Sequence, residues 1–280
     1  MSLPLAQRVG DAVEPLDGIA ETVQGAVREA VAASQPVADA LDGTWLGAPL
    51  HAALTDVPVG ALSAAVLLDI AGRDEADAAL AVGVLGALPA AVTGLADWRY
   101  LRGEQRRIGT AHALLNTAGL LLHLGSLAAR RRGRRGRGKL LLLAGYALNG
   151  FAAHLGGQLS FGLAVRVNHT AQTSGPEQWT DVSADDLGPE ELRRVEADGT
   201  PVLLSRSDGG VCAIAATCSH LGGPLDEGER EGATVVCPWH GSRFDLCDGS
   251  VVDGPAVFDQ PRFETRVREG RIGVRASSSG

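Results

Sequence analysis

Three stretches of this chain are long enough to cross a lipid bilayer and carry no charge. Ala78 to Ala96 runs for nineteen residues, Gly109 to Ala129 for twenty-one and Leu140 to Val165 for twenty-six without an Asp, Glu, Lys or Arg. A helix of about twenty apolar residues spans the hydrocarbon core of a membrane. A helix of a soluble bundle keeps one polar face, and the last two stretches have none. Leu46 to Gly72 reads as a further span, with Asp56 and Asp69 turned toward neighbouring helices or set near the interfaces. Its alternative is a buried or re-entrant segment beside three spans. The expected architecture is an all-α transmembrane four-helix bundle over residues 46–165, with spans at about 46–72, 77–98, 108–129 and 139–165. Gly83, Gly86 and Gly94 on the second span allow a neighbouring helix to come close.

Ahead of the bundle, residues 1–45 read as an amphipathic N-terminal helical segment. Leu16, Ile19, Ala20, Val23, Val27, Ala30 and Val31 recur at helical spacing, with Asp17, Glu21 and Glu29 opposite them. Basic residues are too few for this face to grip anionic lipid, so it is expected to pack on the bundle or on a partner. The first residues show no signal-peptide pattern. A net charge of −8 and the lack of any basic, aromatic-rich surface argue against a nucleic-acid partner. Seven positive charges lie between Arg130 and Lys139, against four between Arg99 and Arg107 on the opposite side. Positive-inside weighting puts the seven-charge loop in the cytoplasm and both termini outside the cell membrane.

Past a linker at 166–177 the material changes. Val202 to Ser205, a turn at Asp208-Gly209-Gly210 and Val211 to Ile214 read as a hairpin. Ala233 to Cys237 reads as a strand, and Phe263 to Val274 as a closing hairpin. The result is a small all-β domain over residues 178–276. Two loops in it pair a thiol with an imidazole: Cys218-Ser-His220 and, after sixteen intervening residues, Cys237-Pro-Trp-His240. Two thiolates and two neutral imidazoles hold either zinc or a two-iron cluster with cysteines on one iron and histidines on the other. Zinc fingers usually pair Cys with Cys and His with His; mixed pairs suit two loops closing on a cluster from opposite sides.

At these residues the domain resembles the Rieske [2Fe–2S] family. The resemblance implies that Cys218, His220, Cys237 and His240 are the cluster ligands. It also implies that the Ser242 hydroxyl faces a cluster sulfur, and that Gly254-Pro255 is the loop covering the cluster, with Leu221 and Trp239 beside it. High-potential members carry a loop-bridging disulfide where this chain has Gly223 and Trp239, and a tyrosine where it has Phe244. Fewer hydrogen bonds to the sulfurs stabilise the reduced state less, so the chain is similar to the ferredoxin-like, low-to-intermediate potential members. The two remaining cysteines, Cys212 and Cys247, read as buried free thiols. Free thiols point to a reducing compartment, against the loop charges; the loop charges are given more weight here.

Four histidines accompany the spans. His112 and His123 are eleven residues apart, which puts them on one helix face about 16 Å apart along the axis, with Asn116 between them. Folding the last two spans into a hairpin brings His154 to the depth of His112, with His51 at the same membrane side. Imidazole pairs between helices hold b-type haem, which makes His112 with His154 the expected axial pair and His51 and His123 the reserves. The alternatives are interhelical hydrogen bonding and contact with a quinone. Residues 46–165 also resemble an uncharacterised bacterial four-helix membrane family, which implies no reaction.

The expected function is a membrane-anchored electron-transfer protein, a one-electron carrier or a subunit of an oxidoreductase complex. It would exchange electrons with a redox protein or a membrane donor or acceptor, and His220 and His240 would form the docking edge. The alternatives are a membrane-bound hydroxylase using His51, His112, His154 and Asp56, and a redox sensor on a passive anchor. A self-contained oxygenase would need a second iron site, and no histidine follows His240.

Overall fold

The structure is a computed structural model that describes residues 4–182, 186–207 and 209–277. It divides into two compact units, residues 1–37 with 49–165 and residues 38–48 with 166–280. The first is all helix and the second is built on β-sheet, as the sequence predicts.

In the helical unit, α1 (Pro4–Ala12) and α2 (Asp17–Ala32) come first, and α3 (Gln35–Asp42) leads into the second unit. The four long helices are α4 (Leu50–Ile70), α5 (Ala76–Trp98), α6 (Gly103–Arg131) and α7 (Arg135–Gly157). Each is long and apolar enough to cross a membrane. Their outward faces carry Leu67, Val82, Leu85, Val92, Leu121 and Leu140, all exposed. So large an apolar surface needs lipid or protein to cover it. The glycines of α5 work as expected. A Cβ on Gly83 would lie 2.7 Å from Leu62 Cγ, and one on Gly86 2.8 Å from Val57 Cγ1, so only glycine lets α4 approach this closely.

The acidic N-terminal helices pack on the bundle. Asp17 and Glu21 pair with Arg106 at 3.5 and 2.8 Å, and Glu14 and Asp17 pair with Arg107 at 3.1 and 2.7 Å. Gln24 donates to the carbonyls of Trp98 and Leu101, both at 2.9 Å, capping the last turn of α5. Ala6 and Ala20 join Trp98, Leu101 and Ile108 in one apolar cluster.

The second unit contains two antiparallel sheets. The larger has the order β1 (Thr180–Val182), β10 (Arg271–Ala276), β9 (Arg262–Arg268), β4 (Gly210–Ala215), β3 (Thr200–Ser207), β2 (Arg193–Ala197). The smaller is a meander of β5 (Glu229–Glu231), β6 (Thr234–Val236), β7 (Arg243–Asp245) and β8 (Val251–Asp253). The β3–β4 hairpin forms with Ser207 opposite Gly210; Asp208 of the expected turn lies outside the described residues. Residues 166–177 are tied down rather than loose: Thr200 donates to the Ser174 carbonyl at 2.7 Å, and the Ala276 N–H to the Pro176 carbonyl at 2.8 Å.

Cys212 and Cys247 are not free thiols. They form a disulfide that joins β4 of the larger sheet to the turn after β7 of the smaller. Cys212 is half-buried and Cys247 exposed, so neither has the apolar surroundings that the sequence reading gave it. Replacing both with serine is expected to destabilise the cluster-bearing unit by about 3–4 kcal/mol, because a cross-link restricts the unfolded chain. Thermal unfolding with and without a reductant measures this, and equal midpoints would show that the bridge contributes nothing.

Candidate metal centre

The two ligand loops are built to one plan. In the first, which follows β4, the Cys218 N–H donates to the Gly223 carbonyl at 2.8 Å and the Gly222 N–H returns to the Cys218 carbonyl at 2.9 Å. In the second, between β6 and β7, the Cys237 N–H donates to the Ser242 carbonyl at 2.8 Å and the Gly241 N–H returns to the Cys237 carbonyl at 3.0 Å. Each closure requires a left-handed residue four positions after the cysteine. Gly222 and Gly241 supply it, with φ of 77° and 80°.

This folding turns backbone donors onto the sulfurs. The N–H groups of His220 and Leu221 face Cys218 Sγ, and those of Trp239 and His240 face Cys237 Sγ. Both thiols are buried, in a cluster with Phe244, Leu225 and Ala256. They lie within hydrogen-bonding reach of each other. That bond and burial push Cys218 well up, while the same bond, with the N–H groups of Trp239 and His240, lowers Cys237 to about 7 against the opposing effect of burial. The His220 and His240 rings meet edge to face, with centroids 5.2 Å apart. Among the described residues, no three His, Cys, Asp or Glu side chains group where one metal ion would sit. Cys218 and Cys237 form a sulfur pair and His220 and His240 an imidazole pair, a donor set that fits a two-iron cluster.

The other residues expected at the site lie around these four side chains. Gly223 lies against Trp239 and Cys237: a Cβ there would sit 2.9 Å from Cys237 Sγ and 3.1 Å from Trp239 Cγ. The two positions where high-potential members carry a disulfide are therefore neighbours here. Ser242 is buried, and its Oγ accepts a hydrogen bond from the Ala256 N–H at 3.0 Å, one residue past Pro255. Leu221 and His240 are half-buried, Trp239 is 47% exposed, and His220 is buried. Of the two imidazoles expected at the docking edge, His240 is the more exposed.

His169 falls within the linker at residues 166–177. It lies beside the first ligand loop, where its N–H donates to the Ser219 carbonyl at 3.0 Å and its ring faces Gly222. No local pattern marks it, because the contact joins residues fifty apart in the chain.

The bundle histidines are arranged differently from the expectation. His51 and His112 do converge, with ring centroids 6.5 Å apart. His154 is exposed on the outer face of α7, stacked on Phe151. Both ring nitrogens of His112 are engaged, Nδ1 with the Ala152 carbonyl at 2.7 Å and Nε2 with Asn116 at 3.1 Å. Asn116 continues to Asn149 at 2.9 Å, and Asn149 to His123 Nε2 at 2.7 Å. Gly145 touches the His123 ring and Gly119 touches Asn149, so the α6–α7 seam is closely packed. This geometry gives no support to a haem held between His112 and His154. It matches the hydrogen-bonding alternative, in which polar side chains join neighbouring membrane helices.

Comparison with known proteins agrees with both halves. A family model described as "Rieske [2Fe-2S] domain" matches residues 178–264, and one described as "Predicted membrane protein (DUF2231)" matches residues 47–169. Ferredoxin CarAc of Metapseudomonas resinovorans is 34% identical over 93 residues, covering 33% of this chain and 87% of that protein. Apoptosis-inducing factor 3 of Homo sapiens is also 34% identical, over 92 residues, but those are 33% of this chain and only 15% of that protein. Among solved structures, the ferredoxin of carbazole 1,9a-dioxygenase from Nocardioides aromaticivorans IC177 matches at 28% identity and a TM-score of 0.34, covering 36% of this chain and 100% of that one. The two family models and the 34% identity to a ferredoxin covered over 87% of its length lead to one conclusion: this chain belongs to the Rieske [2Fe–2S] family, that domain joined to a DUF2231 predicted membrane domain.

Proposed function

We propose that this chain is a membrane-anchored one-electron carrier, or the electron-transfer subunit of an oxidoreductase complex. The observation that carries this reading is the sulfur pair and imidazole pair on two identically closed loops. Cys218 and Cys237 would hold one iron of a [2Fe–2S] cluster and His220 and His240 the other, and the cluster would supply single-electron transfer. The buried cysteines and their N–H donors hold negative charge inside the domain. His240, with Pro238, Trp239 and Leu221 around it, offers an apolar edge on which a redox protein docks. Relatives named as ferredoxin components of naphthalene dioxygenase systems support a protein partner of this class.

Low-temperature electron paramagnetic resonance of dithionite-reduced membranes tests the reading, and the rhombic signal of a reduced two-iron cluster is expected. Stoichiometric zinc without that signal would end it. With Gly223, Trp239 and Phe244 in place of the disulfide and tyrosine, the midpoint is expected at roughly −150 to +50 mV. Phe244 is wholly buried in the cluster's apolar wall. Phe244→Tyr is expected to raise the midpoint by adding a donor near the sulfurs, and an unchanged titration would show that the new hydroxyl points elsewhere.

The cluster domain is proposed to face the extracytoplasmic side. Two features support this: the seven-charge loop Arg130 to Lys139, and the Cys212–Cys247 disulfide, a bond that persists in oxidising compartments. Protease added to intact spheroplasts is expected to cleave the cluster domain. Protection there, with cleavage in inverted vesicles, would reverse the orientation.

A further inference from the structure

Residues 38–48 lie between α2 and α4 in the chain, yet they pack with the cluster unit some two hundred residues away. Asp39 Oδ1 accepts a hydrogen bond from the Gly254 N–H at 2.8 Å, and the Thr44 hydroxyl donates to the Ala256 carbonyl at 3.4 Å. Arg166 closes the set, with Nη1 donating to the Pro255 carbonyl at 2.9 Å and Nη2 to the Asp42 carbonyl. Gly254 fits this approach because it has no side chain: a Cβ would lie 2.7 Å from Thr44 Oγ1 and 3.1 Å from Asp39 Oδ1. All three residues of Gly254-Pro255-Ala256 are therefore held through their backbones by groups outside the ligand loops.

One more bond leads inward, from the Ala256 N–H to Ser242 Oγ at 3.0 Å. A hydroxyl has a single proton to donate. With one lone pair occupied by Ala256, the Ser242 proton is directed away from the proline loop. We propose that residues 38–48 are a strap that fixes the proline loop over the cluster. Asp39 and Thr44 then act as positioning residues, holding Ala256 so that the Ser242 hydroxyl keeps its direction. This inference rests on the cluster reading. It gives the segment before the first span a role in setting the cluster's potential and retaining its iron.

The test uses the full-length membrane protein with Thr44→Val, Asp39→Ala and Asp39→Asn. Three quantities are read: the resonance signal, the midpoint potential, and the rate of iron release to a ferrous chelator after reduction. Loss of one hydrogen bond is expected to speed release about fivefold in Thr44→Val, and at least as much in Asp39→Ala, where the lost acceptor is a carboxylate. Asp39→Asn keeps an acceptor oxygen, so release returns to the parent rate. The potential of Thr44→Val is expected below that of the parent, because a misdirected Ser242 proton stabilises the reduced cluster less. Asp39→Ala is expected below Asp39→Asn, since the two share the same loss of charge. Two results would overturn the strap while leaving the cluster reading intact: Thr44→Val matching the parent, and Asp39→Ala matching Asp39→Asn, in protein that shows the two-iron signal. A parent without that signal removes both.

Discussion

Replacing Cys237 with alanine is expected to abolish the two-iron resonance signal completely and to leave the protein in the membrane. The cysteine lies in the loop between β6 and β7, within the second compact unit, and all four spans belong to the first. Membrane insertion depends on the apolar length of those spans, which the substitution does not touch. Cluster assembly depends on a sulfur pair that one alanine reduces to a single thiol. His240→Ala is expected to give the same result through the other iron, and iron is expected to fall from about two per chain to background in both variants. Carbonate-washed membranes, assayed for iron, signal and protein together, separate loss of the cluster from loss of the chain. A variant that kept a full two-iron signal would remove Cys237 from the ligand set.

Much of this site is legible in the sequence because its chemistry is local. Each ligand loop is fixed by a cysteine, a histidine two or three positions on and a left-handed glycine at the fourth, all within one short turn. The hairpins and the apolar spans are legible for the same reason, since strand alternation and helix length are local properties. What escapes is decided at a distance. Asp39 and Gly254 are 215 positions apart, and nothing near either announces the other. The Cys212–Cys247 bridge escaped because the strand-like setting of Cys212 suggested burial. A signal was present at its partner, however: Cys247 stands just before Asp248-Gly249, and a cysteine in a hairpin turn has no core to enter.

His154 was misplaced for a reason of helical phase. Matching depth across the α6–α7 hairpin set it level with His112 but left open which way it points. Among the residues of α7 that touch α6 are Gly145, Asn149, Ala152 and Gly156, spaced three and four apart. His154 follows Ala152 by two positions, about 200° around the helix, and so faces outward. The facing stripe on α6 is His112, Asn116, Gly119, His123, Ser126 and Arg130, at the same spacing. Small residues on one helix and polar residues on the other mark a membrane-helix seam. That stripe could have been read in the sequence before any depth was matched.

The far end of this seam carries the largest stability effect expected in the helical unit. Arg130 has a side chain only 2% exposed, and it donates to Asp69 at 3.0 Å through Nη1 and again through Nη2. It also reaches Asp77 at 2.7 Å and Ser126 Oγ at 3.1 Å. Gly138 makes room for it, since a Cβ there would lie 2.6 Å from Arg130 Cγ. Arg130→Met removes the cation and leaves Asp69, 7% exposed, as a buried carboxylate without its main counter-charge. Breaking one side of a buried pair typically costs about 3–5 kcal/mol. Asp77, at 40% exposure, is solvated enough to tolerate the loss. The double variant Arg130→Met with Asp69→Leu is therefore expected to recover most of the stability, since it removes both buried charges and fills the space with apolar volume. Thermal unfolding of detergent-solubilised parent, single and double variants measures the cycle. A single variant within about 1 kcal/mol of the parent would mean that Lys139, which donates to the Asp69 carbonyl at 2.8 Å and lies 3.9 Å from its carboxylate, takes over as counter-charge. The membrane half would then be held by its small-residue seams rather than by this ion pair.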